Sequence, residues 1–380
     1  MAVTQRWMIY GANGYTGRLV AALAAARGQR PVLAGRDGAA VGALAAELGL
    51  DHLAVDLTDS SGLRAALADV DAVAHCAGPF VATSAPMVDA CLATGTHYLD
   101  VTGEPPVFEA VLGRSAEAAA AGVVLLPGAG FDVVPTDCLA GLLAAALPGA
   151  TSLELAFRAP GGASRGTATT GLAITAAGGF RRVDGRLRPT PFGRPRRSVP
   201  FPSRTREVGA ITWGDVVTAY HSTGIPNITV YAPVPLKGPA QRATAAVVQR
   251  LLRYGPARAV AAGMVRRRVT GPSPQTRAAT GVEVWGEVRD GAGHSRSATL
   301  TGPNGYDLTA DAVVRAIGYV LAGRGPGGPI APGAHTPATA LGPDFVRELD
   351  GIHLSPVTAA PSPADPAGPF PADHGQIGTD

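Results

Sequence analysis

Three glycines spaced by three, Gly11, Gly14 and Gly17, close a short apolar run and open a segment rich in Ala and Leu. The run, Trp7-Met8-Ile9-Tyr10, reads as a strand, followed by a tight turn and a helix. A helix that begins without bulky side chains leaves backbone N–H groups unpaired, and the positive end of its dipole faces the same point. An anion belongs there. Gly11 can take the turn, Gly14 lets a diphosphate approach the backbone, and Gly17 lets the helix pack close to the strand. The spacing departs from the commoner GxGxxG, but its place directly after a strand points to a dinucleotide site. About twenty residues on, where such sites select their nucleotide, Pro31-Val32-Leu33-Ala34-Gly35 reads as a second strand with Arg36 at its tip. Asp or Glu there would bind ribose hydroxyls; a guanidinium suits the 2′-phosphate of NADP. The expected cofactor is NADPH. Its expected binding residues are Gly11, Ala12, Asn13, Gly14, Tyr15, Thr16, Gly17, Arg36, Asp56, Ala77, Gly78, Pro79 and Phe80. Phe80 is expected near the nicotinamide, or else as an ordinary core aromatic.

Candidate proton carriers are fewer. Tyr98 ends a strand and is either a proton donor or a half-buried aromatic. Asp132 lies in the glycine-rich loop 128–137 and, with Asp137, is either a site acid or a helix cap. His221 stands beside Tyr220 and is either catalytic or structural. Glu104 is read as orienting Thr102 or a substrate group, or as capping the next helix. A Tyr–Lys pair four residues apart is excluded, because the single lysine, Lys237, has Pro233 in the required place. Backbone N–H groups of the 128–137 loop are a suitable oxyanion site, since a helix should begin near Pro135.

The elements that must position these residues alternate. Helices are predicted over 39–48, 60–67, 81–93 and 106–120, and strands over 52–56, 70–76, 96–100 and 122–126. That alternation specifies a doubly wound parallel sheet, with ligands at the carboxyl ends of its strands. The fold class is therefore α/β, an N-terminal Rossmann sheet plus a second α/β domain whose sheet is mostly antiparallel. Expected domains are 1–150 for the dinucleotide, 151–305 for substrate, 306–350 as a helix returning to the first domain, and 355–380 as a disordered tail. In the second domain strands are predicted over 152–157, 227–232, 281–288 and 295–301. Helices over 165–177 and 241–254 should cover that sheet, with 257–265 as a further helix. The Gly-, Pro- and Arg-rich stretch 178–203 is read as a long loop or lid.

The 380 residues carry a net charge of only +3, which does not point to nucleic acid. No apolar run is long enough to be a membrane span, and the N-terminus has no leader pattern. Cys76, Cys91 and Cys138 match no metal spacing and read as reduced thiols of a cytoplasmic protein. No metal site is expected. Residues 158–206 hold eleven arginines and one acid, Asp184. With one lysine in the chain, such a patch is first a matter of composition; second, it is a surface that could steer an acidic partner.

Taken together, several segments resemble the saccharopine dehydrogenase-like oxidoreductases, and among them the trans-acting enoyl reductase-like proteins. They are Ile9–Gly17, Ala34-Gly35-Arg36, Cys76–Phe80, His97–Glu104, Pro127–Asp137, Val284–Val288 and Thr336–Gly342. The resemblance implies an NADP-binding Rossmann domain, and reduction of a C=C or C=N bond in a lipid, polyketide or amino-acid type intermediate. The expected function is an NADPH-dependent reduction of a C=C bond in a small-molecule or acyl-carrier-bound substrate. The alternatives are an imine or saccharopine-type reductase and a non-catalytic NADP-binding protein. A homodimer is one assembly left open.

Overall fold

The computed structural model describes residues 6–234, 238, 247–248 and 250–359. Its first half builds β1 (Trp7–Tyr10), α1 (Tyr15–Ala26), β2 (Val32–Gly35), α2 (Gly38–Leu48), β3 (His52–Ala54), α3 (Ser60–Leu67), β4 (Ala72–His75) and α4 (Phe80–Thr94). Then follow β5 (His97–Asp100), α5 (Pro105–Leu112), α6 (Ser115–Ala120), β6 (Val124–Leu126) and α7 (Val134–Ala146). These strands are all parallel, in the order β6-β5-β4-β1-β2-β3. Every residue of β1 and β4 is buried, as a sheet covered on both faces requires.

The second half forms β7 (Ser152–Arg158), α8 (Arg165–Ala177), β8 (Gly179–Val183), β9 (Arg186–Thr190), β10 (Arg196–Pro200), β11 (Thr205–Ile211), α9 (Asp215–Thr223) and β12 (Asn227–Ala232). Next come α10 (Gly255–Arg268), α11 (Pro274–Ala278), β13 (Val282–Arg289), β14 (Ser295–Gly302) and α12 (Gly305–Leu321). The last elements are β15 (Gly333–Ala334), α13 (Pro337–Leu341), β16 (His353–Leu354) and β17 (Thr358–Ala359). The second sheet runs β10-β11-β12-β7-β13-β14-β16 and is antiparallel except between β12 and β7. The α/β class with one parallel and one mostly antiparallel sheet is thus as expected.

Three expectations on this half are corrected. The stretch 178–203 is not a loop: it supplies β8, β9 and β10. The turn between β8 and β9 is Asp184-Gly185, with φ of 48° and 73°, in register Val183 to Arg186. That is the primed two-residue hairpin turn Asp-Gly favours. The helix at 165–177 packs against α10, and it is α7 and α9 that cover the second sheet. The helix expected over 241–254 falls mostly outside the described residues; 250–253 are helical. Finally, the tail does not begin at 355. Ser355 N–H donates to Thr299 O at 2.8 Å, Ser355 Oγ accepts from Thr299 N–H at 2.9 Å, and β17 pairs β14 at Arg296 and Ser297. Residues 360–380 lie outside those described.

After β14 the chain returns to the first sheet. The long helix α12 lies on α1, burying Leu308, Val313, Ile317 and Val320. Arg27 and Arg315 both pair with Asp311 and Asp350, pinning this contact. β15 extends the parallel sheet beside β6. Asp137, in the first turn of α7, ties the parts together: Oδ1 accepts from Ser222 Oγ of α9 at 2.6 Å, and Oδ2 accepts from Ala338 N–H of α13 at 2.8 Å. It is a buried structural acid.

Candidate active site

The glycine loop is built by local geometry. Gly11 has φ of +79°, and its N–H bonds Ala34 O at 2.8 Å, drawing the loop over β2. A β-carbon at Gly11 would stand 2.9 Å from Ala77 N, and one at Gly17 would stand 2.3 Å from Gly11 O. Both positions exclude side chains because backbone meets backbone there. The helix α1 then starts at Tyr15 with no side-chain cap, so its first N–H groups stay open for an anion.

Around this tip lie the expected selectivity residues. Arg36 follows β2, is exposed, and forms no ion pair or hydrogen bond among the described residues. The next acid, Asp37, accepts from Ala40 N–H as the cap of α2, so it is engaged. Asp56, exposed beyond β3, is held low by the N–H and hydroxyl of Thr58. A bare helix tip, a glycine cradle and a free guanidinium fit a phosphorylated dinucleotide.

The turn 77–80 on the other side is held from below. Thr83 Oγ1 donates to Ala77 O at 2.6 Å and accepts from His75 Nε2 at 3.1 Å. His75 is buried against Tyr10, Phe80 and Tyr98, and burial pushes its pKa down to about 3. It is a neutral donor. Glu104 accepts from Phe80 N–H at 3.1 Å and Val81 N–H at 2.8 Å, so it caps α4 rather than the helix that follows it. Thr170 of α8 also donates to Glu104, at 3.1 Å.

A cavity of about 360 Å³ reaches the first turn of α1 through Thr16. Val101 and Asp132 also line it, and Phe131, Phe157, Trp213 and Tyr306 form its aromatic walls. Phe157 packs between Phe131 and Trp213, with ring centroids 6.0 and 4.8 Å away. Trp213 donates its indole N–H to Asp132 O at 2.7 Å. Tyr306 accepts from Ser164 N–H and meets Thr167 Oγ1 at 3.0 Å, which joins the first turns of α8 and α12. Both helices aim their N-termini at the cavity, since Ala163, Thr167, Asn304 and Gly305 line it. No lysine or arginine is among the lining residues. The carboxylate of Asp132 makes no hydrogen bond to the described residues. Burial, with the charge of Glu104 nearby, raises its pKa to about 7.

The structure therefore sorts the predicted acids. Asp132 is at the cavity. Tyr98 is not: it is fully buried, and its hydroxyl donates to Asp100 Oδ2 at 2.6 Å. Burial and the Asp100 charge raise its pKa well above the usual phenol value, and no substrate can reach it. His221 is not there either. It lies in the last turn of α9, exposed, and does not line the cavity. Most of the loop 128–137 is not open to an oxyanion. The N–H groups of Gly128, Ala129, Phe131, Val133, Val134 and Asp137 all bond within the fold.

Several site residues carried no signal in the sequence. Phe157 comes from the end of a strand, Trp213 from a loop, and Thr167 and Tyr306 from two helix starts, and their types suit any core. Tyr15, one of the expected cofactor residues, is also tied to the second half of the chain. Its hydroxyl donates to Pro272 O at 2.6 Å, accepts from Arg277 at 3.1 Å, and its ring meets Tyr306 edge-on at 4.8 Å.

A parallel sheet with an uncapped helix tip over its glycine turn defines a dinucleotide-binding α/β protein. Residues 7–126 match the family model of the saccharopine dehydrogenase NADP-binding domain. These residues are thus similar to that domain, and the resemblance carried by the motifs within them holds. A trans-acting enoyl reductase of Mycobacterium leprae is 33% identical over 139 residues, 34% of this chain and 33% of its own. A saccharopine dehydrogenase-like oxidoreductase of Bos taurus is 29% identical over 162 residues, 36% of this chain and 37% of its own. The match thus spans about a third of each relative. The fold extends further: apo saccharopine dehydrogenase (L-Glu forming) of Saccharomyces cerevisiae superposes with a TM-score of 0.59 at 14% identity, covering 93% of this chain and 100% of that one. Among the described residues no helix is long and apolar enough to cross a membrane, and no cluster of metal-ligating side chains occurs.

Proposed function

We propose that this protein is an NADPH-dependent reductase that saturates a C=C bond of an acyl or polyketide-type intermediate, free or held on an acyl carrier. The observation that carries this reading is the cavity: aromatic walls, no cation, and one unpartnered carboxyl, Asp132. An amino-acid substrate of the saccharopine type carries several carboxylates, and these would need cationic partners once desolvated. The lining supplies none. An enoyl group is uncharged and flat, and fits rings better than it fits water.

Bound NADPH would supply the hydride. The chain's own residues do the rest. The tip of α1 and Arg36 hold the phosphates. Phe131, Phe157 and Trp213 exclude water from the reacting carbons. The N-termini of α8 and α12 favour negative charge on the carbonyl oxygen as hydride arrives at the β-carbon. Asp132, poised with a pKa of about 7, is the proton donor to the α-carbon. The exposed arginines 186, 188, 194 and 204 support a carrier-bound substrate, because they would meet an acidic carrier favourably.

The test is cofactor oxidation with a panel of enoyl thioesters, free and carrier-bound, beside keto-acid and amine pairs. Turnover of enoyl thioesters alone supports the reading. Turnover of the keto-acid and amine pair alone replaces it with C=N reduction. NADPH binding with no turnover of either replaces it with a binding protein.

A further inference from the structure

Among the described residues, one stretch of the chain exposes several large apolar side chains close together in sequence. Val247, Val248, Leu251 and Tyr254 are 58%, 43%, 55% and 66% exposed, and Val260 and Met264 of α10 are 64% and 51% exposed. Val247 and Leu251 stand four residues apart, as do Val260 and Met264. Leu252 is buried at 7% and anchors the segment. Soluble surfaces scatter large apolar side chains singly; six exposed within one short stretch of chain mark a surface that something covers.

The charge around this set is one-sided. From residue 216 to residue 282 the sequence has nine lysines and arginines and no aspartate or glutamate. Arg253 and Arg258 are exposed between the two pairs, and Arg267 and Arg268 are exposed at the end of α10. The chain as a whole carries only +3, so this concentration is local. A second copy of the chain would bring its cations against these, and like charges at a two-fold contact repel. Exposed apolar side chains interspersed with exposed arginines, with no acid in the stretch, suit the headgroup layer of an anionic bilayer.

We propose that the exposed side chains of Val247, Val248, Leu251, Tyr254, Val260 and Met264 dock the protein peripherally on an anionic lipid membrane. The contact is interfacial, since no described helix can span. It stands apart from the reductase reading and needs neither its substrate nor its cofactor. The stretch is nonetheless connected to the cavity. α10 packs on α8, Arg165 Nε donates to Val269 O at 2.9 Å, and Thr167 of α8 lines the cavity.

The experiment is sedimentation of the full chain with vesicles of phosphatidylcholine alone and of phosphatidylcholine mixed with phosphatidylglycerol. The protein should pellet with the mixed vesicles, not with the neutral ones, and less at raised salt. The double substitution Leu251→Ser, Met264→Ser should lower partitioning about tenfold or more, with the melting temperature and NADPH titration unchanged. Failure to bind the mixed vesicles would overturn the proposal, as would equal partitioning of the double variant. A wild-type dimer that the double variant converts to monomer, without vesicle binding, would assign these side chains to a second copy. Capture of an acidic carrier protein through these side chains, again without vesicle binding, would likewise replace the membrane.

Discussion

The Asp132 carboxylate leans on Gly103: a β-carbon at that glycine would stand 2.7 Å from Asp132 Oδ2. The acid is therefore placed by the loop that follows β5, the same loop whose Glu104 caps α4. Position and proton affinity come from one arrangement, because Glu104 is also the charge that burial adds to in raising the Asp132 pKa.

Asp132→Asn should lower kcat by about a hundredfold or more, the ordinary weight of a general acid, and leave NADPH affinity unchanged. In the unsubstituted protein kcat should fall as pH rises through about 7, because the acid form is the donor. A stability measurement gives the same group a second reading. Its folded pKa lies above its ordinary value, so the ionised form is disfavoured by folding and stability falls as pH rises from about 4 to 7. Asp132→Asn should therefore raise the melting temperature at pH 8 relative to pH 4. A flat pH difference would remove the buried-acid assignment.

Arg36→Ala should weaken NADPH binding by about tenfold or more, since a charge-assisted hydrogen bond contributes about 1.5–3 kcal/mol. NADH binding should change little. Fluorescence titration of both nucleotides measures this, and equal losses for the two would show that Arg36 does not read the 2′-phosphate.

Tyr98→Phe should leave kcat within about twofold, because the hydroxyl is sealed beneath the sheet edge, and should cost about 1 kcal/mol of stability through the lost bond to Asp100. Denaturant unfolding and steady-state kinetics separate the two effects. A large kcat loss with native stability would return Tyr98 to the chemistry.

Asp137→Ala should cost about 1–3 kcal/mol, because Ser222 Oγ and Ala338 N–H both lose a buried acceptor. Thermal unfolding is the measurement. Unchanged stability would mean that α9 and α13 do not depend on this acid.

What the sequence made legible follows from range. The first sheet could be read because each strand and the helix after it lie within about thirty residues, as a βαβ unit does. Its patterns are local, and Gly11, Gly17 and Arg36 sit where those patterns put them. The hairpin at Asp184-Gly185 had a local signal too, but it was masked by a stretch dense in glycine, proline and arginine. The arginines there looked like a free basic rim. In the structure Arg158 pairs with Glu283, Arg197 with Glu154 and Glu287, and Arg182 donates to Val216 O and lies over the Tyr220 ring. The cavity was the hardest part to read. Asp132, Phe157, Trp213 and Tyr306 meet only after both sheets have formed, and nothing in their spacing foretells it. Tyr98 misled for the opposite reason: its place at a strand's carboxyl end was right, but in a doubly covered sheet one side chain direction leads into the core.

Tyr15 opens the helix whose uncapped tip follows the glycine turn, and its hydroxyl is held by a carbonyl 257 residues away. That carbonyl belongs to the short connection running on from α10. The start of the first crossover helix is thus moored to a segment from the other half of the chain, so its final position is set only when the two halves have come together.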